Sequence, residues 1–485
     1  MSDYDGTVIF KEWLPDLPEL NNPGLLEALN VLPLNGAYAS YAPLSGSGTA
    51  NAFSGTACGA FMSRWGTGTA VYASVDAVST NRLLKHNGSS WITSSAARSP
   101  LGTLHTSFEQ YGNLILATDG ANGLSAVTVS SATTFNAVSV GASPQFVGVI
   151  GQFVVVGNFP NTDTSNSASI RWSAIDNPLS FPVPNSATAI ATQAGENFFQ
   201  PERGPVTGIS GGDQFGLVFQ QGAVNRLTYV GGSVVFQIDP VDEQRGAYFP
   251  NSIVRVSSLT YFMAKSGFFV TDGVTIKELS RDKISSAFIS EVVFTNPHRV
   301  CGAYDGKRNL IYWSYAISGA SNQMQNRMII YEPASDRFTR ANDSVSSIFT
   351  SREGSMGGLI DTFDGPPMGI MSGGTLGSFS GTPGTAIFTT GETEPNPGGF
   401  ADLQGIKPLV DVTVNAVTAA MGTRNDRKSA VTFTSESTAN SRSGFCNFRD
   451  KGGVASRYHR ARLTVAGTFN AAQGLEYEAA PSGFT

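Results

Sequence analysis

A chain of 485 residues with 31 Lys and Arg against 37 Asp and Glu carries a formal net charge of −6 and a pI near 5.4. That balance excludes a general electrostatic attraction to nucleic acid or to an anionic membrane surface. Only 14% of residues are charged, against about 25% in an ordinary soluble domain, and 54 are glycine, so turns dominate and much of the surface is uncharged.

Residues 1 to about 45 form an extended N-terminal docking arm. In KEWLPDLPELNNPGLLEALNVLPLNGAYASYAP five prolines interrupt every candidate element except a short helix expected at Gly24 to Leu29. Trp13, Leu14, Leu17, Leu20 and Leu25 are too apolar for a free tail, and the arm must dock on its own chain or on a neighbouring subunit. The start MSDYDGTVIF is acidic and has no basic segment leading an apolar core, so no signal peptide is expected. No run approaches the roughly 20 apolar residues that cross a bilayer, and no membrane insertion is expected.

From 46 to about 390 a strand-and-turn rhythm recurs. Its clearest copy is SIVRVSSLTYFMAKSGFFVTDGVTIKELS, Ser252 to Ser280. Val, Tyr, Phe and Ile pack on a pleated face, while Asp272-Gly273 accepts the positive φ of a hairpin turn. Related units run through YGNLILATDGANGLSAVTV, FVGVIGQFVVVGNF with IRWSAIDNPLSF, FGLVFQQGAVNRLTYVGGSVVFQID, and NLIYWSYA with RMIIYEPASDRFTR. A spacing of roughly 40 to 50 residues is that of β-propeller blades, whose sheets bury their faces only by stacking around an axis. The fold expected is therefore all-β and propeller-like, with the number of blades left open. Residues 391–404, beginning GETEPNPGG, are the best linker. Beyond them, 405–485 read as the alternating strands of a separate small β-sandwich or barrel.

Signals for catalysis stand at the level of chance. Gly208 to Gly212 matches a nucleophile-elbow pattern around Ser210, but a strand follows where that motif needs a helix. Asp242 and Glu243 are adjacent, so in extended chain they point to opposite faces and suit a turn or salt bridge better than an acid pair. His86, His105, His298 and His459 lack the spacing of metal ligands. Asp361 and Asp364 resemble only a fragment of a calcium loop. Cys58, Cys301 and Cys446 are odd in number and far apart, which predicts reduced, buried thiols. No catalytic residue, cofactor or metal is expected. Two basic clusters, Arg424/Arg427/Lys428 and Arg457/His459/Arg460/Arg462, suit structural or inter-subunit pairing better than a phosphate clamp.

Four phrases together resemble one family. The arm WLPDLPELNNPGLLEALNVLPLNGAYASY is similar to the entry segment of tail proteins of short-tailed bacteriophages, where a proline-rich stretch leads to an Asn-Val-x-Pro phrase. SGFFVTDGVTIKELS resembles that family's Gly-x-Phe/Tyr-x-x-Asp-Gly blade phrase, and IRWSAIDNPLSF its Arg-Trp-Ser segment. RYHRARLTVAGTFNAAQGLEYEAAPSG resembles its closing Arg-x-x-Arg-x-Arg strand. The serine-rich stretch near residues 85 to 100 departs from the pattern.

The family is the tail hub or nozzle, the packaged-DNA stabilisation proteins of the head-to-tail connector. The resemblance implies a non-enzymatic virion protein, assembled in the host cytoplasm, of which about six copies form a closed ring. The ring would sit below the portal and its adaptor protein, beside tail fibre or spike and distal plug or needle proteins. Packaged double-stranded DNA would be retained by channel closure and pass without tight binding. Trp13, Leu14, Leu17, Leu20 and Leu25, with Arg457, Arg460 and Arg462, are the expected assembly-interface residues. The alternative is a propeller-type carbohydrate-binding or glycan-processing protein on the virion surface, with Trp65, Trp91, Trp172 and Trp313 as sugar platforms. A trimeric fibre or adhesin is a further rival, separable by stoichiometry.

Overall fold

The computed structural model describes residues 6–46, 52–66, 68–77, 79–129, 134–159, 167–320, 324–351, 354–355, 361–362, 368–412, 416–449 and 455–482. It is all-β, with a propeller and a two-sheet sandwich sharing one core. Five blades are sheets of their own, starting at Thr56, Ser107, Phe146, Val206 and Val254. Each is an antiparallel meander of four strands in chain order, and the first is extended by two short strands at 354–355 and 361–362. The fifth shows the rule. Val254–Val256, Leu259–Ala264, Gly267–Thr271 and Ile276–Glu278 pair in succession. The two middle strands are almost wholly buried, because a blade is covered on both faces by its neighbours, while the outermost strand is partly exposed. At the Asp272-Gly273 turn Gly273 has φ +85°, and the Asp272 carboxylate accepts from the backbone N–H groups of Val274 and Thr275 at 2.8 and 2.7 Å.

Two further four-stranded meanders, embedded in the largest sheet, complete the circle. One is Cys301–Asp305, Leu310–Tyr315, Gln325–Glu332 and the first half of Arg337–Phe349. The second half of that long strand turns inward and pairs with Met368–Met371, which pairs with Leu376–Phe379. The outer strand of this last blade is Leu44–Gly46, from just before the first blade. The two ends of the propeller are thereby hydrogen-bonded into one sheet, and Asp343 reinforces the closure by accepting from the Tyr41 hydroxyl and the Leu44 N–H, both at 2.7 Å.

The N-terminal arm is woven into the sandwich. One sheet holds Val31–Leu34, Ala37–Ser40, Ala472–Pro481 and Ala401–Val410, with Gly6–Ile9 also paired to Ala472–Pro481. The other runs Leu25–Leu29, Ala386–Thr390, Tyr458–Val465 and Val417–Arg424. Leu29 also bridges Arg340 of the propeller in parallel, so this second sheet continues into the sixth blade. The shared core extends from Phe10, Trp13 and Leu25 through Phe388, Leu463 and Leu475 to Phe268, Trp313 and Phe338. Burial of such rings at roughly 25 cal/mol per Å² joins the two bodies more firmly than a tether could.

Three sequence expectations are corrected. The helix at Gly24 to Leu29 is a strand over Leu25–Leu29: the helix-prone LLEAL is overridden by its pairing with Ala386–Thr390. Residues 391–404 are no linker, since Glu392 is 1% exposed and the strand Ala401–Val410 starts inside that span. Residues 405–485 are not a separate domain, because the sandwich takes strands from the arm and from Ala386–Thr390, which was assigned to the propeller.

Candidate functional site

The first strands of the blades line a central cavity of about 750 Å³. Its wall takes Met62 from the first blade, Glu109 from the second, Val147 from the third, Ser210 and Asp213 from the fourth, Arg255 from the fifth, Cys301 from the sixth and Phe349 from the last. Arg255 donates from Nε to the Ser257 carbonyl at 3.0 Å and lies over the Phe215 ring at 5.6 Å. Burial lowers its pKa from the ordinary value, with Asp213 and Glu109 acting against that shift. Gly212 lets the guanidinium pass: a Cβ there would lie 2.1 Å from Arg255 Nη1. Deeper, His105 Nε2 lies 3.6 Å from the Cys301 Sγ. Burial and then the Arg299 charge hold His105 neutral, its pKa pushed down to about 3, while burial raises the Cys301 thiol to about 11. A neutral imidazole beside an un-ionised thiol is a packed pair and not an activated nucleophile.

The other sequence candidates take structural positions. Ser210 is 5% exposed and shares a hydrogen bond with the Thr260 hydroxyl at 3.3 Å. Asp242 caps the backbone N–H groups of Gln244 and Arg245, and Glu243 lies 3.4 Å from Arg203. His298 meets Gln145, and His459 meets the Ser456 carbonyl. All three cysteines are free and buried. Among the described residues no three His, Cys, Asp or Glu side chains form a metal-binding group. Asp364 lies outside the described residues, and the Asp361 side chain is not among those described. Trp313 and Trp172 are buried, with indole N–H groups bonded to the carbonyls of Ser252 and Gln193. Trp91 packs edge-on against Phe53 and His86, which leaves Trp65, 45% exposed, as the most open of the four.

The expected interface residues face inward to a large degree. Trp13, Leu14 and Leu25 are buried in the chain's own core, and Leu17 and Leu20 are half-buried. A second chain cannot reach the first three, which corrects their assignment as an intermolecular contact. Arg460 pairs with Glu19 at 3.1 Å and Arg457 with Glu394 at 2.6 Å, while Arg462 lies 3.9 Å from the centroid of Phe433. Each of these three arginines has a partner within the chain, and Arg457 keeps 43% of its side chain exposed.

A different surface stands out. At the outer edges of the third and fourth blades Leu179, Val183, Ile190, Phe198, Val230 and Val234 are 43 to 75% exposed. Leu179, Val183 and Ile190 lie in the segment between Trp172 and Gly195 that carries the short helix Ala187–Thr192, Phe198 ends the strand after it, and Val230 and Val234 flank the turn of the hairpin joining Val224–Gly231 to Val235–Asp242. Tyr229 donates to the Gln193 side chain at 2.8 Å, tying the hairpin to that segment. A groove beside the hairpin is lined by Trp172, Glu196, Val230, Val234 and Ile238. Sequence reading missed this face. Its signal was present in NPLSFPVPNSATAIATQAG, an insertion within a blade, and in the apolar residues flanking Gly231-Gly232.

No family model matches the chain, and no curated protein matches it. Among solved structures, one described as the crystal structure of the mitotic checkpoint complex is similar at 10% identity and TM-score 0.39, over 72% of this chain and 93% of that one. A functionally unknown protein from Desulfotomaculum acetoxidans is similar at 10% identity and TM-score 0.38, over 64% of this chain and 96% of that one. A third, YCF48 bound to D1 peptide, is similar at 9% identity and TM-score 0.36, over 72% and 94%.

Proposed function

We propose that the chain is a structural virion protein, the ring-forming subunit of a tail nozzle in a short-tailed bacteriophage, and that it acts by assembly and not by catalysis. About six copies form a ring beneath the portal and its adaptor, hold packaged double-stranded DNA by closing the channel, and conduct it on ejection. The observation that carries the reading is the set of six large apolar side chains left exposed on the third and fourth blades. They belong to a chain with only 14% charged residues, whose two ends are locked into a single body. Permanent interfaces are depleted in charge at their cores. The sequence resemblance supports the viral context, and its blade phrase falls on the third strand of the fifth blade and the turn after it, its Arg-Trp-Ser phrase on the third blade. A net charge of −6 suits a conduit through which a polyanion slides without counterion-release affinity.

Native mass measurement of the purified chain, and of tail complexes released from particles, tests this. A closed ring of about six copies is the expected species. A trimer would support the fibre or adhesin alternative, and a chain that stays monomeric in both preparations overturns the reading.

A further inference from the structure

The wall of the central cavity carries one positive charge and two negative ones. Among the described residues that line it, Arg255 of the fifth blade is the only cation, because His105 is held neutral, and Glu109 of the second blade and Asp213 of the fourth are the only carboxylates. Arg255 commits its Nε to the Ser257 carbonyl and rests on the Phe215 ring, but its Nη1 has no hydrogen-bond partner. Among the described residues no carboxylate pairs with it directly, and Asp213 and Glu109 act on it only through space. A partly buried guanidinium in that condition is costly, and such charges are ordinarily paired. Three residues before Glu109, Thr106 lines the same cavity, is 2% exposed and has a hydroxyl that is also without a partner. Buried polar groups left open in this way are where a ligand or an ordered water is expected. Met62, Val147 and Phe349 add apolar wall.

We infer that the cavity is a binding site for a small zwitterion of the amino-acid class, a free amino acid or a short peptide with both ends free, whose carboxylate pairs with Arg255 and whose ammonium group faces Glu109 and Asp213. The charge count separates the ligand classes. A bare anion would meet Arg255 together with two carboxylates, and a bare cation would leave the guanidinium unpaired. A ligand carrying both signs answers all three groups. The planar guanidinium suits a carboxylate, and the apolar wall takes a side chain. At about 750 Å³ the cavity falls within the roughly 300–1,000 Å³ that small-ligand sites occupy. The charged groups come from three blades, so the ligand bridges the second, fourth and fifth and stabilises the folded propeller by mass action. One copy supplies every group, and the site stands or falls independently of the ring.

Calorimetric titration and thermal melting of the full-length chain, with L-leucine, tri-alanine, N-acetyl-leucine and leucinamide as probes, test the site. L-leucine or tri-alanine is expected to bind and to raise the melting midpoint with concentration, and the tighter of the two tells amino acid from peptide. N-acetyl-leucine, which lacks the ammonium group, and leucinamide, which lacks the carboxylate, are expected to bind at least about tenfold more weakly. Arg255→Gln is expected to weaken the zwitterion by about tenfold or more. Asp213 is exposed, so Asp213→Asn leaves the core untouched. It is expected to weaken the zwitterion and to strengthen N-acetyl-leucine, opposite changes that partial unfolding does not produce. The inference is overturned if no probe binds at about 10 mM, or if either singly charged probe binds the wild-type chain as tightly as the zwitterion. It is also overturned if both variants bind the zwitterion like the wild type, since the ligand then sits elsewhere.

Discussion

Glu19 Oε1, in the N-terminal arm, lies 3.1 Å from Nη1 of Arg460, 441 residues further along the chain. The other oxygen of the same carboxylate lies 3.3 Å from Arg424, whose Nη2 is also 2.5 Å from Glu392. The first and last parts of the chain are therefore joined by one ionic cluster over a shared apolar core. The consequences for each partner differ, because burial differs.

Glu392 is 1% exposed at its side chain, whereas Glu19 is 45% exposed. Arg424→Met strands the Glu392 carboxylate in the interior, and the expected loss is about 3–5 kcal/mol. Glu19→Ala removes a solvent-screened partner and is expected to cost less than about 1 kcal/mol. Urea unfolding of the two variants checks the ordering, and equal losses would show that the buried pair is not the dominant contact.

Removal of residues 1–35 is expected to leave the chain insoluble or grossly destabilised, because the deletion takes Phe10, Trp13, Leu25 and Val31 out of the shared core. Within the arm, Trp13→Ala alone is expected to cost about 3–5 kcal/mol through the cavity it leaves. Asp16 accepts from the N–H groups of Ser286 and Ala287 at 2.7 and 2.8 Å, at the start of the short helix Ser285–Glu291. Asp16→Ala is expected to cost about 0.5–2 kcal/mol. A truncated chain that melts cooperatively near the wild-type temperature would show the arm to be an appendage.

Closure of the propeller rests on Asp343. Its two hydrogen bonds hold Tyr41 and the strand Leu44–Gly46 in the last blade, so Asp343→Ala is expected to cost about 1–3 kcal/mol and to open that blade first. Hydrogen exchange should quicken in residues 44–46 and 376–379 before it does in the fifth blade. Uniform quickening would mean that the propeller opens as a whole.

Stability is expected to fall as the solution is acidified below about pH 6.5, the ordinary histidine pKa. Burial lowers His86 and His298 to about 4 and His105 to about 3, and it also lowers His459. Each is neutral when folded and takes up a proton when unfolded. Its contribution is present above pH 6.5 and is progressively lost as pH falls toward the folded values. Asp343 and Asp305 have the opposite sign: burial raises both, so their contributions are present at low pH and are lost as pH rises. Urea midpoints at pH 7, 5.5 and 4.5 test the balance, with His105→Gln expected to flatten the slope. A midpoint that does not move across this range would show that the histidines are not held neutral.

The recurrent runs of β-branched and aromatic residues between turn residues determined that the chain is all-β and propeller-like. A blade's own strands are neighbours in sequence: SGFFVTDGVTIKELS folds as read because its partners lie within 20 residues on either side. The three thiols were legible in the same local way, from spacing alone. What local reading could not reach was any pairing across the chain. Leu44–Gly46 becomes the last blade's outer strand through Leu376–Phe379, and LLEAL becomes a strand through Ala386–Thr390, partners more than 300 residues away whose apolar pattern is no different from any other strand's. Whether an apolar residue ends inside or outside was likewise a tertiary decision. Trp13 and Leu25 looked like contact residues and became core, because the sandwich offered them a closed face. Val183, Ile190 and Val234 are just as apolar by sequence, yet the fold leaves them 63 to 75% exposed.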